Sequence, residues 1–217
     1  MQTWKGMAMR GRLITIEGLD GTGKTTLADA LARALEERGR PVELLREPGG
    51  VELSERIRAL VKDPALTVGA RAEALLYAAA RAQLVEERVA PLLSAGVWVL
   101  LDRFVDSSLA YQGAGRELGV DAVRAVNEFG TGGLQPDRTL LLRIDPASGR
   151  ARLAGRGDAP DRLELEDEVF FRAIATAYDR LAEAAPERIR VLDARAEPDA
   201  VLAAALAALD DLLPPER

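Results

Sequence analysis

The feature that most constrains this chain is the segment Gly18-Leu-Asp-Gly-Thr-Gly-Lys-Thr25, which has the pattern G-x-x-x-x-G-K-[ST]. It follows a β-branched run at residues 13–17, the expected first strand, and precedes residues 25–38, where leucines at every fourth position indicate a helix. Glycines between a strand and a helix let several backbone N–H groups point at one anion, and the helix N-terminus adds partial positive charge. The pattern predicts a loop that holds the phosphates of a nucleoside triphosphate. The residues of this phosphate loop are Gly18, Leu19, Asp20, Gly21, Thr22, Gly23, Lys24, Thr25 and Thr26.

Short apolar runs alternate with helical patterns along the rest of the chain. Further strands are predicted at residues 42–45, 97–101, 139–144 and 189–192, and further helices at 54–61, 70–94, 121–129, 170–184 and 199–213. Strands that alternate with helices form parallel sheets through right-handed crossovers. We therefore expect an α/β fold, a three-layer sandwich of about five parallel strands with helices on both faces, in one domain over residues 12–217. Residues 1–11 are expected to be a flexible N-terminal extension.

The composition excludes several kinds of chemistry. The 217 residues include no cysteine and no histidine, which removes thiolate metal sites, cysteine nucleophiles, Ser-His-Asp triads and histidine bases. The formal net charge of −6 argues against broad electrostatic binding of nucleic acid or of an anionic membrane. No apolar run is long enough to span a bilayer, and the N-terminus lacks the apolar core of a secretory signal, so we expect a cytoplasmic protein.

The phosphate loop by itself leaves the class of protein open. Switch proteins, motors, transport ATPases and small-molecule kinases all use such loops. The Asn-Lys-x-Asp segment with which GTPases read guanine does not occur in the chain. Asp102 ends the apolar strand VWVLLD, the position expected of a carboxylate that organises Mg²⁺ together with the Thr25 hydroxyl. A kinase for a nucleotide or a deoxynucleoside and a nucleotide-dependent switch ATPase are both compatible with these observations.

Five segments, in order and at suitable spacing, resemble the thymidylate kinase family of bacterial type. They are EGLDGTGKTT at 17–26, REPGG at 46–50, LLYAAARAQLVEE at 75–87, DRFVDSSLAYQGAGR at 102–116 and the Arg-rich segment that leads to DRLE at 161–164. The resemblance covers residues 12 to about 213. It implies the fold of the P-loop nucleoside monophosphate kinases, with an Arg-rich lid at about 149–164, and the ATP-dependent, Mg²⁺-assisted phosphorylation of thymidine monophosphate for dTTP biosynthesis. The implied partners are ATP, thymidine monophosphate and a second copy of the chain in a homodimer, with no nucleic acid and no membrane.

The resemblance also assigns the acceptor site. In the family, residues matching Asp20 in the phosphate loop and Arg46 after the second strand organise the acceptor phosphate and its metal, and we expect the two to pair. Tyr77 and Arg81 lie four residues apart and hence on one helix face, where an aromatic ring stacks on a base and a guanidinium donates to thymine O4. Cytosine carries an amino group in place of that oxygen, so Arg81 favours thymine or uracil.

The segment DRFVDSSLAYQGAGR supplies the other expected acceptor contacts. Arg103 is expected to grip the acceptor phosphate, and Tyr111 to pack against the deoxyribose and exclude a 2′-hydroxyl. Ser108 and Gln112 are candidates for hydrogen bonds to the base. Transfer from phosphate to phosphate needs no strong base, because the acceptor monophosphate, with a second pKa of ~6, is already largely dianionic at neutral pH. A chain without histidine is therefore compatible with this reaction.

The Arg-rich segment is expected to be mobile and to close over the site, the alternative being a solvated surface. It contains Arg150, Arg152, Arg156 and Arg162. Because the phosphate loop has no arginine at its variable positions, the resemblance implies that a lid arginine is the catalytic cation, with Arg156 as first choice and Arg152 as second. Glu164 is the expected lid carboxylate for the sugar or the metal, and residues 193–197 are expected to border the adenine. The predicted catalytic residues are Asp20, Lys24, Arg103, Arg156 and Arg152, and the predicted metal ligands are Thr25, Asp20 and Asp102.

Overall fold

The computed structural model describes residues 10–155 and 160–213 and contains one parallel sheet with the strand order β2-β3-β1-β4-β5. The strands are β1 (Leu13–Gly18), β2 (Val42–Arg46), β3 (Trp98–Asp102), β4 (Arg138–Arg143) and β5 (Ile189–Asp193). The predicted α/β fold with about five parallel strands is confirmed. Each predicted strand lies within one residue of its observed bounds, because the apolar runs are short and are bounded by glycine, proline or charged residues.

Helices cover both faces of the sheet. They are α1 (Lys24–Glu37), α2 (Glu52–Lys62), α3 (Ala70–Leu84), α4 (Ala90–Ser94), α5 (Val105–Ser108), α6 (Val120–Thr131), α7 (Pro146–Ala154), α8 (Glu168–Ala184) and α9 (Pro198–Ala207). A π-helical turn, Val85–Val89, joins α3 to α4, so the predicted helix over 70–94 is one helical run with a wider turn inside it. A second π-helical segment, Leu109–Gly115, follows α5. The closing helix, predicted over 199–213, ends at Ala207.

The core is divided between the two faces by the alternation of side chains along the strands. Ile14 and Ile16 of β1 pack in a cluster with residues of α1 and α9. Leu13, on the opposite face of the same strand, packs in a cluster with residues of the α3–α4 run. Leu141 of β4 packs with residues of α8. This arrangement is the three-layer sandwich that the sequence predicts.

The sheet brings the loops after β1 and β3 together. Ile16 of β1 pairs with Asp102 of β3 on one side and with Leu140 of β4 on the other. In open parallel sheets ligands bind at the carboxyl ends of the strands, where such loops meet. The phosphate loop after β1 therefore begins beside the turn that follows Asp102.

The sequence analysis missed α7, which occupies the start of the segment expected to be mobile. Asp145 caps this helix by accepting a hydrogen bond from the Ser148 backbone N–H at 2.9 Å, and Pro146 occupies its first turn. The sequence pattern did not predict this helix because the glycine in it has a low helix propensity. The cap and packing against the phosphate loop stabilise the helix nevertheless.

Two further observations concern the predicted boundaries of the chain. Of the predicted N-terminal extension, residues 1–9 lie outside the described residues, while Gly11 donates its backbone N–H to the Leu93 carbonyl at 2.8 Å. Within the described ranges, no helix has both the length and the apolar character that crossing a membrane requires.

Candidate active site

The phosphate loop is shaped by close backbone approaches at two glycines. Gly18 has φ +140°, and a Cβ there would lie 2.4 Å from the Leu142 carbonyl oxygen of β4. Gly21 has φ +79°, and its Cβ would lie 2.2 Å from the Gly149 carbonyl oxygen of α7. A side chain at either position would collide with backbone. The loop is thus held between β4 and α7, and α1 begins directly after it at Lys24.

The buried side chain of Lys24 extends back over the loop. Its Nζ donates to the carbonyl oxygens of Leu19 at 2.8 Å and Gly18 at 3.3 Å, and lies 3.8 Å from the Asp20 carboxylate. Burial lowers the pKa of Lys24 to about 8; the Arg103 charge adds to this effect and Asp20 opposes it. A buried ammonium whose pKa is lowered by burial is stabilised when an anion binds next to it.

A cavity of about 210 Å³, called here the acceptor cavity, opens beside the loop. The loop residues Lys24 and Thr25 line it together with Asp102. All the residues that the sequence analysis assigned to the acceptor line the same cavity: Asp20, Arg46, Tyr77, Arg81, Arg103, Ser108, Tyr111, Gln112 and Glu164. The fold therefore brings these separate segments of the chain around one cavity.

Asp20 pairs with Arg103, and the expected pairing with Arg46 was wrong. Arg103 Nη2 donates to Asp20 Oδ1 at 2.7 Å, and the Tyr111 hydroxyl donates to Oδ2 at 3.1 Å. Arg46 instead donates to Glu55 of α2 at 2.9 Å. The physical reason is the strand order: β3 lies between β1 and β2, so the turn after β3 places Arg103 next to the phosphate loop.

Arg103 has an unusual backbone conformation. Its φ of +71° lies in the left-handed region, which costs a residue other than glycine ~1–3 kcal/mol. The guanidinium also donates to the Gly18 carbonyl at 3.1 Å and to Ser107 Oγ at 3.0 Å, and lies 5.0 Å from the centre of the Tyr111 ring. Burial alone would raise the pKa of Asp20, but the Arg103 charge holds the pKa of that carboxyl well below its usual value. This pair therefore remains ionised at neutral pH.

A buried carboxylate, Glu17, holds the turn that carries Arg103. Its Oε1 accepts the Phe104 backbone N–H at 2.7 Å, and its Oε2 accepts from Ser107 Oγ at 2.5 Å and from the Tyr178 hydroxyl at 2.9 Å. Burial raises the pKa of Glu17, and the nearby Asp106 charge adds to that rise. These bonds connect β1 to the turn after β3 and offset the strain at Arg103.

Arg81 lies on α3 and is almost fully buried, with an exposed fraction of 2%. Its Nε donates to Glu47 Oε2 at 2.7 Å, and its Nη2 donates to the Phe104 carbonyl at 2.9 Å. Its Nη1 donates to Ser108 Oγ at 2.9 Å and to Asn127 Oδ1. A guanidinium carries five N–H bonds, so within the described part of the chain one N–H of Nη2 is left for a ligand. This donor in the cavity wall suits a carbonyl oxygen.

Glu47 completes the ion pair with Arg81 at the wall of the same cavity. Its Oε1 is buried and makes no hydrogen bond to any described residue. Burial raises the pKa of Glu47 to about 7, although the Arg81 charge opposes the rise. Burying this ion pair without water therefore costs desolvation free energy, which is expected of a site that binds a ligand rather than of one that stabilises the fold.

The remaining predicted acceptor residues are held by neighbours in different ways. Tyr77 is half-buried on α3, and burial raises the pKa of its hydroxyl. Gln112 is buried, and its Nε2 donates to Glu73 Oε1 at 2.9 Å. Glu164 accepts the Asp161 backbone N–H at 3.0 Å. Hydrogen bonds therefore hold Gln112 and Glu164 at the cavity wall, and Tyr77 on α3 is held there by packing.

Thr25 and Asp102 have the chemistry of a magnesium site. Thr25 Oγ1 donates to Asp102 Oδ2 at 3.2 Å, and Asp102 Oδ1 is buried without a hydrogen-bond partner among residues 10–155 and 160–213. Hydroxyl and carboxylate oxygens are hard ligands that Mg²⁺ prefers, together with waters and substrate phosphates. Over the same residues, no group of three or more His, Cys, Asp or Glu side chains is arranged to hold a metal ion. Asp20, the third predicted ligand, is engaged with Arg103.

A second cavity of about 150 Å³ lies between the start of α1 and the loop from β5 to α9. It is lined by Thr22 and Thr26 of the phosphate loop and by Ala194 and Pro198. Arg152 of α7 also lines it and donates from Nη1 to the Ala194 carbonyl at 2.8 Å. The segment 193–197, expected to border an adenine, contributes Ala194 and Ala196 to this cavity.

Arg150 and Arg162 of the expected lid contact other parts of the protein. Arg150 lies 5.9 Å from the centre of the Phe171 ring and 3.7 Å from Glu168. Arg162 donates to the Val61 carbonyl at 3.0 Å and to Glu73 at 2.5 Å. Arg156, the first choice for the catalytic cation, lies outside the described residues.

Sequence reasoning missed the buried polar residues that position the lining side chains, namely Glu17, Glu47, Glu73 and Asn127. One of them carried a usable signal. Glu73, Tyr77 and Arg81 recur at every fourth position of α3 and therefore share one helix face. A carboxylate on the face that carries the predicted base contacts indicates an internal partner. Asn127 belongs to a different helix, α6, and no local pattern connects it to Arg81.

Comparisons with known proteins agree with this geometry. A sequence model of the thymidylate kinase family matches residues 16–205. Thymidylate kinase from Lactobacillus delbrueckii subsp. bulgaricus is 45% identical over 209 residues, covering 95% of this chain and 99% of that protein. Thymidylate kinase from Halorhodospira halophila is 46% identical over 211 residues, covering 96% and 98%. The crystal structure of thymidylate kinase from Ehrlichia chaffeensis superposes with a TM-score of 0.76 at 27% identity, covering 92% of this chain and 98% of that one.

Proposed function

The chain belongs to the thymidylate kinase family and phosphorylates thymidine monophosphate to the diphosphate, and we propose how its residues divide this work. One observation carries the proposal: the acceptor cavity joins the phosphate loop, through Lys24 and Thr25, to a pocket lined by Tyr77, Arg81 and Gln112. A donor phosphate on the loop and an acceptor nucleotide in the pocket would share this one space.

The donor is ATP, held by the backbone N–H groups of the phosphate loop and by the N-terminus of α1. Lys24 exchanges its bonds to loop carbonyls for the β- and γ-phosphates. The second cavity takes the adenine, beside Arg152 and Ala194. The support for this placement is that the cavity adjoins the loop at Thr22 and Thr26.

Mg²⁺ is the proposed cofactor. Thr25 and Asp102 would hold it, and Asp20 would be the third protein ligand near the phosphates. The unpartnered Asp102 Oδ1 supports this assignment, because a buried carboxylate oxygen without a hydrogen bond suits a cation or its water. When bound, the ion neutralises charge on the transferring phosphoryl group.

Arg103 and Arg46 bind the phosphate of the acceptor monophosphate. The thymine base stacks on Tyr77, accepts a hydrogen bond at O4 from Arg81 and forms hydrogen bonds with Ser108 and Gln112. Tyr111 packs against the deoxyribose, and Glu164 contacts the sugar or the metal. The buried charge of Arg103 and its fixed position beside the loop support its role. These groups align two phosphates and neutralise their charge, which is the main catalytic requirement of phosphoryl transfer.

The segment 149–164 closes over the phosphates and supplies a catalytic arginine. Arg156 remains the first candidate, and Arg152 the second. The absence of arginine from the phosphate loop supports a lid donor. Because Arg152 already contacts Ala194 beside the second cavity, a role there in holding the adenine competes with the catalytic role.

The protein acts as a cytoplasmic homodimer, with residues 12–217 as its single kinase domain. The helices α2, α3 and α6 pack side by side and expose apolar side chains: Phe129 of α6 is 93% exposed and Leu75 of α3 is 57% exposed. Apolar side chains of this size on adjoining helices are typical of a protein–protein contact. A second copy of the same surface would cover them.

A coupled ADP-release assay with ATP and Mg²⁺ tests the proposal. Thymidine monophosphate, deoxyuridylate, deoxycytidylate, guanylate and thymidine are compared as acceptors. We expect thymidine monophosphate to be the best acceptor, deoxyuridylate weaker, and the others poor. Turnover with another acceptor alone would overturn the base-recognition roles, and hydrolysis indifferent to every acceptor would instead favour a switch ATPase.

A further inference from the structure

Glu73 is a buried carboxylate beside the acceptor cavity to which the mechanism above gives no role. Its exposed fraction is 0%, and it lies on α3 one turn before Tyr77. Its Oε1 accepts from Gln112 Nε2 at 2.9 Å and from Arg116 Nε at 3.2 Å. Its Oε2 accepts from Arg116 Nη2 at 3.2 Å and from Arg162 Nη2 at 2.5 Å. Glu73 therefore acts only as an acceptor, towards two side chains of the second π-helical segment and its C-cap and one arginine from the segment before α8.

This arrangement determines which way the Gln112 amide points. An amide has an NH₂ donor end and a carbonyl acceptor end, and only the donor end bonds to a carboxylate. Because Glu73 takes the NH₂ group, the carbonyl oxygen of Gln112 is the end available to a ligand. That oxygen has no hydrogen-bond partner within residues 10–155 and 160–213, and Gln112 lines the acceptor cavity. The cavity wall thus presents an acceptor from Gln112 and a donor from Arg81.

We propose that Glu73 is a specificity-determining positioning residue, which locks Gln112 with its carbonyl towards the base. The inference rests on the proposed function. Thymine and uracil offer an N3–H donor beside the O4 acceptor, which matches the pair formed by Gln112 and Arg81. Cytosine offers an unprotonated N3 acceptor beside an amino donor, which opposes both groups. Glu73 acts through Gln112 and touches no substrate atom itself.

The substitution Glu73→Gln tests this role, because it keeps the size of the side chain and changes one acceptor into a donor. Arg116 and Arg162 both donate to position 73, so the single carbonyl oxygen of the new side chain stays with them. Its NH₂ group then faces Gln112, whose amide turns over and presents its own NH₂ group to the cavity. The NH₂ group of the flipped amide cannot accept a hydrogen bond from thymine N3–H, but it can donate one to the unprotonated N3 of cytosine.

The ratio of kcat/KM for thymidine monophosphate to that for deoxycytidylate is measured with both acceptors in competition. We expect Glu73→Gln to lower this ratio by about ten- to a hundredfold, the usual effect of reversing one buried hydrogen bond. Glu166→Gln is the matched control, since Glu166 forms an ion pair with Arg116, with Nη1 and Oε1 2.6 Å apart, and makes no described contact with Gln112. The control should keep the wild-type ratio.

A folded Glu73→Gln protein with the wild-type ratio, or a ratio that falls equally in Glu166→Gln, would overturn the proposal. If Glu73→Gln does not fold, Glu73→Asp is measured by the same criterion. Its shorter carboxylate weakens the hydrogen bond to Gln112, so the ratio should fall, but by less than the ten- to hundredfold expected for Glu73→Gln. Loss of stability with an unchanged ratio would show a purely structural role. Turnover of thymidine monophosphate by the wild-type protein tests the proposed function separately.

Discussion

The phosphate loop and the acceptor pocket, the part of the acceptor cavity lined by Tyr77, Arg81 and Gln112, adjoin each other but are formed in different ways. The loop is contiguous in sequence, and backbone geometry shapes it: Gly18 and Gly21 approach carbonyl oxygens of β4 and α7 too closely for any side chain. The pocket is assembled from buried side chains on separate elements, as in the group of Arg81, Glu47 and Asn127. The first region depends on local sequence, and the second depends on the completed fold.

This difference predicts different responses to mutation. A loop shaped by backbone geometry should keep its shape when a side chain that faces the ligand is removed, so such substitutions should affect activity more than stability. A pocket made of interlocking buried side chains should lose stability and substrate affinity together, because each group satisfies several others.

Lys24→Ala should damage the chemistry alone. We expect kcat to fall on the order of 10²–10³-fold, as for removal of one preorganised donor to a charged transition state. The free energy of unfolding should stay the same or rise, because burial already lowers the pKa of this ammonium to about 8. Steady-state kinetics and urea unfolding measure the two effects, with Arg56→Ala on the exposed surface of α2 as the control. A large loss of stability would contradict the contrast between the regions.

Arg81→Lys should damage the pocket in both respects. A lysine keeps the charge but not the fork of donors that holds Glu47, Ser108, Asn127 and the Phe104 carbonyl. Partners left unsatisfied around a buried charge should cost about 3 kcal/mol of unfolding free energy. The KM for thymidine monophosphate should rise more than the KM for ATP. An equal rise in both constants would mean that the two regions are not separable.

The pocket should also make stability depend on pH through Glu47. Burial raises the pKa of Glu47 to about 7 in the folded protein, from an ordinary 4.5. The folded state therefore holds this proton more tightly, so the contribution to stability is full below about pH 4.5 and is lost as pH rises through about 7. The loss amounts to at most about 3 kcal/mol.

Urea unfolding between pH 5 and pH 8 measures this effect, with Glu47→Gln as the comparison. The variant keeps an oxygen for Arg81 Nε but has no proton to lose, so its stability should change less across the range. Identical pH dependence in the two proteins would show that Glu47 does not titrate in this window.

The smallest effect on chemistry is expected for Phe129→Asp. A charge at this exposed position of α6 should prevent a second copy from covering the helices α2, α3 and α6. Light scattering after size exclusion should then show half the wild-type mass, while kcat changes by less than about threefold, as for most surface substitutions. Any rise in KM should concern thymidine monophosphate, because α3 carries Tyr77 and Arg81. An unchanged mass would show that this surface is not the dimer interface.

The sequence predicted the parts of the site that depend on residue type in a local pattern. The phosphate loop and the Tyr77–Arg81 helix face follow from spacing, and the five strands follow from short apolar runs. The Arg46 pairing failed because β3 lies between β1 and β2, so the turn after β3 places Arg103 beside Asp20. The helix α7 was missed because its stability comes from the Asp145 cap and from contact with the phosphate loop rather than from its own propensity.

Local sequence patterns specify the parallel α/β architecture and the phosphate loop, because side-chain periodicity and glycine stereochemistry act over a few residues. The set of side chains that lines the acceptor cavity is predicted by the resemblance of five segments to the thymidylate kinase family, not by periodicity. The partners of the buried polar groups follow from packing: Arg103 with Asp20, Arg81 with Glu47 and Asn127, and Glu73 with Gln112. A buried charge takes its partner from whichever element packs beside it, and that choice exists only after the strands are ordered and the helices are packed.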